Sequence, residues 1–469
     1  MGSVGGRRVR RVMARRQFIR RTGTLGLSLA AGPLLAAFGS GAPIQTARAG
    51  EGRAELRFVF WGSINERNGV EHMIDTFNAA NPMIHVTPQY IPTTGDTYTE
   101  KLTAMLASGD PPDAAYVTGS VAFAYASAGR LMDLSRYVKS DPSKLLPNAF
   151  YRYGNQIIGS SIGEITVLYY NKDLFDAAKV PHPPADPKDA WEWDQFLEIA
   201  RKLTKDRNGN DATSGRFDPN NIETYGVAFN TANTGYLPLV WSNWGQFAND
   251  QGTRLTLNEP QAVDPIQRLQ DLIYKYHVAP TPAVSQQMPA TDILMQTRRV
   301  AMDLNGHWKV LDYSHTNGLR WDMGALPRLR RPATLLVASA RVIFASTKHP
   351  DEAYQFYRYH IDPNRVELFK DGLWMPPQRE YYDDPAMTDA WIDGHKGVYP
   401  AGAKQVLVSY VKHYIPHQAP EYWLRNLNQI YSKALNPALD LVWTGKAGAK
   451  QAMDQAAADA KPLMAGRWN

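Results

Sequence analysis

Two hydrophobic periodicities alternate between residues 54 and 118. The stretch AELRFVFWG (54–62) places apolar side chains on alternating sides, which predicts a buried strand. The next stretch, RNGVEHMIDTFNAANP, repeats its apolar positions three and four residues apart, which predicts a helix that stops at Asn81-Pro82. A strand MIHVTPQYI, a helix ending at Gly109 and a strand AAYVT follow. Strands and helices in this order are typical of an α/β fold with a parallel sheet.

The ends of the first and third predicted strands are candidate binding loops. In parallel sheets, ligands bind beyond the carboxyl ends of the strands. Here those ends carry Trp61, Asn65, Glu66, Thr118 and Ser120. An amide and an acid suit the recognition of hydroxyl groups. Asn65 and Glu66 have an equal alternative, as a helix N-cap and a first-turn acid.

The middle of the chain holds a predicted helix, WEWDQFLEIARKL, then a polar loop and a strand, TYGVAFN. The acids of the loop suggest calcium. With Asp206 as the first ligand, however, the glycine falls at the fourth position rather than the sixth that an EF-hand requires. We expect a solvated hairpin and no metal or other cofactor. Near the end of the chain, AGAKQAMDQAAADAKPLM predicts an amphipathic packing helix.

A tryptophan follows a turn after residue 304. The charged stretch LMQTRRVAMDL reads as helical, turns on Asn305-Gly306 and presents His307 and Trp308. A large aromatic at such a place is either a binding platform or a core residue. The same two alternatives stand for three further tryptophans, Trp241, Trp244 and Trp374.

The first 49 residues differ from the rest. They carry nine arginines and no acidic residue. Arg15 to Arg20 resembles the twin-arginine export motif, an apolar run follows, and Ala47-Arg48-Ala49 suits a cleavage site. We predict that residues 1–49 are a twin-arginine signal peptide. The alternative is an uncleaved anchor, although an apolar run of about 17 residues is short for a membrane span.

Charge and cysteine content exclude several classes of function. Without the nine leader arginines, 42 basic residues face 45 acidic ones, so the net charge changes from +6 to about −3 and nucleic acid is not expected as a partner. The chain has no cysteine, which excludes disulfides, a thiol nucleophile, cysteine-bound metal and a lipoprotein anchor. No second apolar stretch is long enough to span a membrane.

A series of phrases in a fixed order gives the chain a family resemblance. The phrases are FWGSINERNGVEHMIDTFNAANP, YTEKLTAMLASGDPPDAAYV, AGRLMDLSRYV, IGEITVLYYNKDLFDAAKVPHPP, RRVAMDLNGHW, WDMGALPRL, ASTKHPDEAYQFYRYH and GLWMPP. In this order the chain resembles the extracellular solute-binding proteins of ABC importers, in the carbohydrate-binding group that includes maltose-binding protein. Where many relatives have a Gly-Gly before the last crossing, this chain has RLRRPATLLVASARVIFAST.

The resemblance implies two α/β lobes that close on a sugar about a hinge of three crossings. The first lobe would comprise residues 50–163 and 341–371, and the second 164–340 and 372–469. Glu164 would lie at the first crossing, bonded to the hinge or the ligand, and Trp308 would stack on a sugar ring. The expected partners are a sugar or oligosaccharide and the permease subunits of an ABC importer, with the protein monomeric in the periplasm or on the outer face of the membrane.

The sequence favours a class of sugar but does not identify the sugar. Several tryptophans and a mildly acidic mature chain favour a neutral oligosaccharide over a highly anionic one. Arg328, Arg330 and Arg331 would pair with acidic groups if they faced the cleft, although solvent is the usual environment of such a run.

Two other function classes remain as alternatives. A secreted glycosidase would need two carboxylates about 5 to 10 Å apart. The sequence has no GxSxG, HExxH or GxxxxGK[ST] motif. A chemosensory or adhesion protein would share the cleft and differ in its partners. We expect a binding protein and not an enzyme.

Overall fold

Two mixed β-sheets organise the chain. The computed structural model describes residues 52–92, 97–140, 144–161, 163–337, 339–414 and 420–468, so the predicted leader lies outside the described residues. The strands are β1 (Ala54–Phe60), β2 (Ile84–Tyr90), β3 (Ala114–Thr118), β4 (Phe150–Tyr153), β5 (Gln156–Ser161), β6 (Glu164–Asn171), β7 (Lys205–Asp206), β8 (Ile222–Phe229), β9 (Val300–Gly306), β10 (Trp321–Gly324), β11 (Leu336–Val337) and β12 (Ser339–Ile343).

The helices cover both faces of the sheets. They are α1 (Ile64–Ala80), α2 (Thr97–Ala107), α3 (Gly119–Ser127), α4 (Ser135–Ser140), α5 (Lys172–Ala178), α6 (Trp193–Leu203), α7 (Asn233–Ser242), α8 (Pro260–Tyr274), α9 (Pro282–Ser285), α10 (Thr291–Gln296), α11 (Lys309–Ser314), α12 (Pro350–His360), α13 (Glu380–Asp383), α14 (Pro385–Ile392), α15 (Ala403–Ser409), α16 (Leu427–Ile430), α17 (Asn436–Trp443) and α18 (Ala449–Ala460).

The first sheet has the strand order β2-β1-β3-β12-β5-β4, and the second has β10-β6-β9-β8-β7 with β11 also paired to β6. Strand β1 runs parallel to both β2 and β3, which confirms the parallel arrangement predicted from the alternating strands and helices. Strand β12 joins antiparallel to β3 and β5, so the sheet is mixed. The α/β fold class is confirmed.

The chain passes between the sheets at short connections. It leaves the first sheet after β5 and enters the second at β6, and it returns between β11 and β12. Because β12 lies between β3 and β5, the returning strand becomes an interior strand of the first sheet. Residues near these passages therefore lie beside both sheets.

Apolar periodicity explains why the helices pack where they do. Helix α1 buries Val70, Met73, Ile74 and Phe77 on one face. Its first turn is fixed by Ser63, whose hydroxyl accepts the Glu66 N–H at 3.2 Å. Helix α6 buries Phe196, Ile199 and Leu203 in the same way. Buried side chains on both faces of the sheets agree with the doubly covered sheets of α/β proteins.

The helix expected over LMQTRRVAMDL is wrong for most of its length. Only Thr291–Gln296 is helical, and Val300–Gly306 is strand β9, which lies between β6 and β8. Residues 300–304 are all buried. A short run buried on both sides has no period that separates a strand from a helix, which is why the pattern was misleading.

Residues Glu51–Asn469 group into one compact unit. Among the residues that the structure describes, none belongs to a helix long and apolar enough to cross a membrane.

Candidate functional site

The loop after β1 brings an acid back over the end of its own strand. Gly62 has φ 155°, and a Cβ there would lie 2.3 Å from Glu66 Oε2. The Glu66 carboxyl therefore folds over a position where only glycine fits. Trp61 packs edge-on against Tyr98 and Tyr116, with ring centroids 4.7 and 5.3 Å away. The loop thus presents Glu66 beside an aromatic wall.

A buried arginine lies next to this loop. Arg341 of β12 is 3% exposed, and its Cζ lies 4.4 Å from the Tyr116 ring centroid and 5.2 Å from that of Trp374. Its Nη1 donates to the carbonyl oxygen and hydroxyl of Ser339 at 3.1 and 2.9 Å. His360 stacks on Trp374 at 4.8 Å. The guanidinium is therefore held between two aromatic rings.

Two carboxyls lie near this arginine, one in the first turn of α1 and one at the start of β6. Burial, and next the nearby Glu164, raise the pKa of Glu66 to about 8. Burial raises the pKa of Glu164, the first residue of β6, to about 7, although the Arg341 charge opposes the shift. Near neutral pH both groups therefore exist partly as neutral carboxyls, which donate as well as accept hydrogen bonds.

Trp308 lies beside the first passage between the sheets. Its ring covers Gly306, where a Cβ would lie 1.9 Å from the ring. Gly306 pairs with Thr166 of β6, two residues from Glu164. The ring is partly buried, and its neighbours belong to the core cluster that also contains Ile165 and Val167. Trp308 is thus held by glycine packing on the same side of the molecule as Glu164.

Two contacts bridge elements of the predicted first and second lobes. Asn65 Nδ2 donates to Asp312 Oδ1 of α11 at 3.0 Å, and Lys309 Nζ donates to the other oxygen of Asp312 at 2.8 Å. At the end of β3, Ser120 Oγ donates to Asn428 Oδ1 at 2.8 Å. Tyr422 packs against Gly119, where a Cβ would lie 2.8 Å from its ring. Both candidate loops therefore contact elements of the predicted second lobe.

Two candidate residues lie in the core instead of the cleft. His307 is fully buried, its Nε2 lies 3.3 Å from the Tyr399 hydroxyl, and burial lowers its pKa to about 3. Trp241 is 4% exposed inside the second-sheet cluster. His307 follows a buried strand directly, and Trp241 lies on a buried segment of α7, so neither side chain is exposed in this structure.

The other candidates have distinct environments. Trp374 is buried as well, but it forms one wall of the Arg341 group. Thr118 is exposed at the start of α3 and makes no side-chain cap. Trp244 is 55% exposed, with φ 65°, and the Arg331 guanidinium lies 4.0 Å above its ring. Trp244 therefore belongs to a surface pair at the end of α7.

Arg328, Arg330 and Arg331, in the segment that departs from the family pattern, each contact a residue in or next to α6 or α7. Arg328 pairs with Glu192 at 2.9 Å, Arg330 donates to Asn243 Oδ1 at 3.1 Å, and Arg331 donates to the Trp241 carbonyl at 3.1 Å. These contacts anchor the segment to the second sheet's helices, away from Glu66 and Glu164.

Several site residues were missed by sequence reasoning. Arg341 and Tyr116 lie inside strands, and Asp312 and Tyr422 lie outside the phrases that carried the resemblance. For Arg341 a signal existed: it is the single charge in the apolar run TLLVASARVIFA, where a charged side chain must be buried.

No group of three or more metal-binding side chains occurs among the described residues. Asp206, considered for calcium, is 2% exposed and accepts the backbone N–H groups of Asn208, Asn210 and Asp218 at 2.9 to 3.0 Å. It stabilises its own loop.

The sheet topology, with ligand-type groups where the two sheets meet, defines the class of two-sheet binding proteins. A family model described as bacterial extracellular solute-binding protein matches residues 61–363. The chain belongs to this family, whose members are binding proteins of transporters, in agreement with the expectation that it is not an enzyme.

Solved structures of binding proteins have the same fold. An ABC substrate-binding protein from Listeria monocytogenes, in complex with cycloalternan, has a TM-score of 0.73 at 22% identity over 88% of this chain and 100% of that one. The maltose/maltodextrin-binding domain MalE from Bdellovibrio bacteriovorus, bound to maltotriose, gives 0.67 at 18% over 87% and 99%. At these identities the likeness shows the fold.

Among curated proteins, the chain is similar to an uncharacterized lipoprotein in the oleD 5′ region of Streptomyces antibioticus, 27% identical over 177 residues. The match covers 36% of this chain and 37% of the relative, so the chain spans little more than a third of that relative's length.

Proposed function

We propose that this protein is an extracytoplasmic substrate-binding protein that captures a sugar or oligosaccharide between two lobes and delivers it to an ABC importer permease. The observation that carries the proposal is the grouping of Glu66, Glu164 and Arg341 with aromatic rings where the two sheets meet. Sugars offer apolar ring faces and hydroxyl edges, which aromatic rings and such polar groups match.

The lobes of the proposal are residues 50–163 with 341–371 and residues 164–340 with 372–469. Hinge motion at the passages between the sheets would open the cleft, and the Asn65–Asp312 and Ser120–Asn428 contacts would re-form when it closes. A ligand that contacts both lobes binds the closed state better and shifts the equilibrium toward it.

Relatives support the ligand class. The Listeria protein was solved with cycloalternan and the Bdellovibrio domain with maltotriose, both carbohydrates. In this proposal the protein acts as a monomer, reaches the outside by the twin-arginine route and is not a lipoprotein, since it has no cysteine.

A thermal-shift screen of residues 50–469 against neutral, acidic and phosphorylated sugars tests the proposal. A ligand at about 100 times its Kd stabilises the native state by about 2.7 kcal/mol, so at least one sugar should raise Tm clearly. A reducing-end assay on the same glycans should show no turnover. A flat screen, or steady release of reducing ends, would argue against a sugar-binding protein.

A further inference from the structure

Arg341 lacks the partner that a buried cation needs. It is 3% exposed, and no carboxylate lies within salt-bridge distance of it in the described part of the chain. Its Nε is sealed from solvent and has no hydrogen-bond partner. Arginine is rarely buried without a partner, because an unpaired charge loses its hydration. Ser339 accepts from Nη1 and the Tyr116 side chain also bonds the guanidinium, which leaves Nε as the atom without a partner.

The ionisable groups around Arg341 do not supply the full negative charge that would balance its guanidinium. The pKa of Glu66 and of Glu164 is raised, mainly by burial, so neither is fully ionised at neutral pH. The nearby His360 has its pKa lowered by burial and by Arg341, so it is neutral. Tyr116 has its pKa raised by burial and stays protonated. Asp312, which also faces Glu66, is engaged by Asn65 and Lys309.

From this geometry we propose that Arg341 is a specificity-determining residue that binds one carboxylate on an acidic sugar, such as a uronic acid, inside the cleft. The guanidinium edge matches a carboxylate in a two-point hydrogen bond, and the stacked rings fix its plane. The inference rests on the proposed sugar-binding function and narrows it. The sequence favours a neutral oligosaccharide, whereas this proposal specifies a sugar that carries one acidic group.

Glu66 and Glu164 make the affinity for an acidic sugar depend on pH. When protonated they donate hydrogen bonds to an anionic ligand, and when ionised they repel it. Binding an acidic sugar therefore takes up protons. Its affinity should fall as the pH rises from 6 to 9, while the affinity for a neutral sugar should change much less.

Calorimetric titration of residues 50–469 with matched disaccharide pairs tests this. Each pair has one linkage and carries either glucose or glucuronic acid at the same position. At pH 6.5 an acidic member should bind about tenfold to a hundredfold more tightly than its neutral partner, as expected for a hydrogen-bonded charge pair. Arg341→Gln should remove this preference. Arg331→Gln, which removes a guanidinium stacked on Trp244 outside this group, should keep it.

The outcomes distinguish a failure of the Arg341 proposal from a failure of the proposed sugar-binding function. If neutral members bind as tightly as acidic ones, or if acidic binding does not weaken toward pH 9, the role of Arg341 is overturned and sugar capture stands. If no sugar of either kind binds, both are overturned. The wild-type comparison and its pH series need no variant, so poor folding of Arg341→Gln leaves the test decisive.

Discussion

Trp308 owes its position to a residue two places before it. The missing side chain of Gly306 makes the space that the Trp308 ring fills, which orients the ring without burying it fully. We predict that Trp308→Ala weakens sugar affinity about fivefold to a hundredfold, by analogy with aromatic stacking on bases. Unliganded stability should fall by less than the roughly 3 to 5 kcal/mol typical of a fully buried ring. Titration and urea unfolding measure the two effects.

Two other tryptophans serve as controls for that variant. Trp244→Ala removes a ring that is 55% exposed and should change neither quantity much. Trp241→Ala removes a ring that is 4% exposed and should reduce stability by about 3 to 5 kcal/mol. If Trp308→Ala behaves like Trp241→Ala, with affinity kept in the folded fraction, Trp308 is a core residue and leaves the site.

At the scale of elements, α1 and α11 meet through the hydrogen bond between Asn65 and Asp312. If this bond forms only on closure, Asn65→Ala and Asp312→Ala should each weaken sugar binding about fivefold, since a hydrogen bond contributes about 1 kcal/mol. The double variant should be little worse than either single one. Gln405→Ala is the matched control: it removes an amide–carboxylate bond of 3.0 Å to Asp186 within the second lobe. Additive losses would show that the contact does not couple the two helices.

The elements that sequence periodicity predicted well have one clear face. Helix α1 follows from spacing alone, because burial of one face imposes a period, and strands β1 and β3 were located as short apolar runs that alternate with helices. Strand β9 was not, since residues 300–304 are buried between two strands. Of the site, the loops after β1 and β3 could be located from the carboxyl-end rule. The place of Arg341 in the site could not, because β12 joins the first sheet only after the chain has passed through the strands of the second sheet.

At the scale of the whole molecule, three carboxyls with raised pKa values tie stability to pH. Burial raises the pKa of Glu66 to about 8 and those of Glu164 and Glu421 to about 7. The folded state holds these protons to higher pH than the unfolded chain, so we predict that unliganded stability falls as the pH rises from 6 to 8. Below that range the lowered pKa values of buried His307 and His360 oppose the trend. Each carboxyl contributes a slope of at most about 1.4 kcal/mol per pH unit.

Urea unfolding at pH 6, 7 and 8 measures this slope. Glu66→Gln should flatten it, because the amide does not titrate. Glu198→Gln should not, because Glu198 lies exposed on α6 and the Lys202 hydrogen bond lowers its pKa. An unchanged slope in Glu66→Gln would contradict the raised pKa.

The predicted leader determines how the whole chain is exported. The arginine pairs of the leader precede an apolar run without acids. Replacing Arg15, Arg16, Arg20 and Arg21 with lysine should strand the precursor in the cytoplasm, as cell fractionation would show. Lysine replacements at Arg7 and Arg8 are the control and should leave export intact. Normal export of the fourfold variant would indicate a general secretory leader.

Capture by closure is most directly tested by small-angle X-ray scattering of residues 50–469, with and without a saturating sugar from the thermal-shift screen. A ligand held by both lobes shifts the population toward the closed state, so the radius of gyration should decrease on binding. Asp312→Ala should give a larger free radius and the same bound radius. A saturated complex with the radius of the free protein would contradict the account, even though the sugar binds.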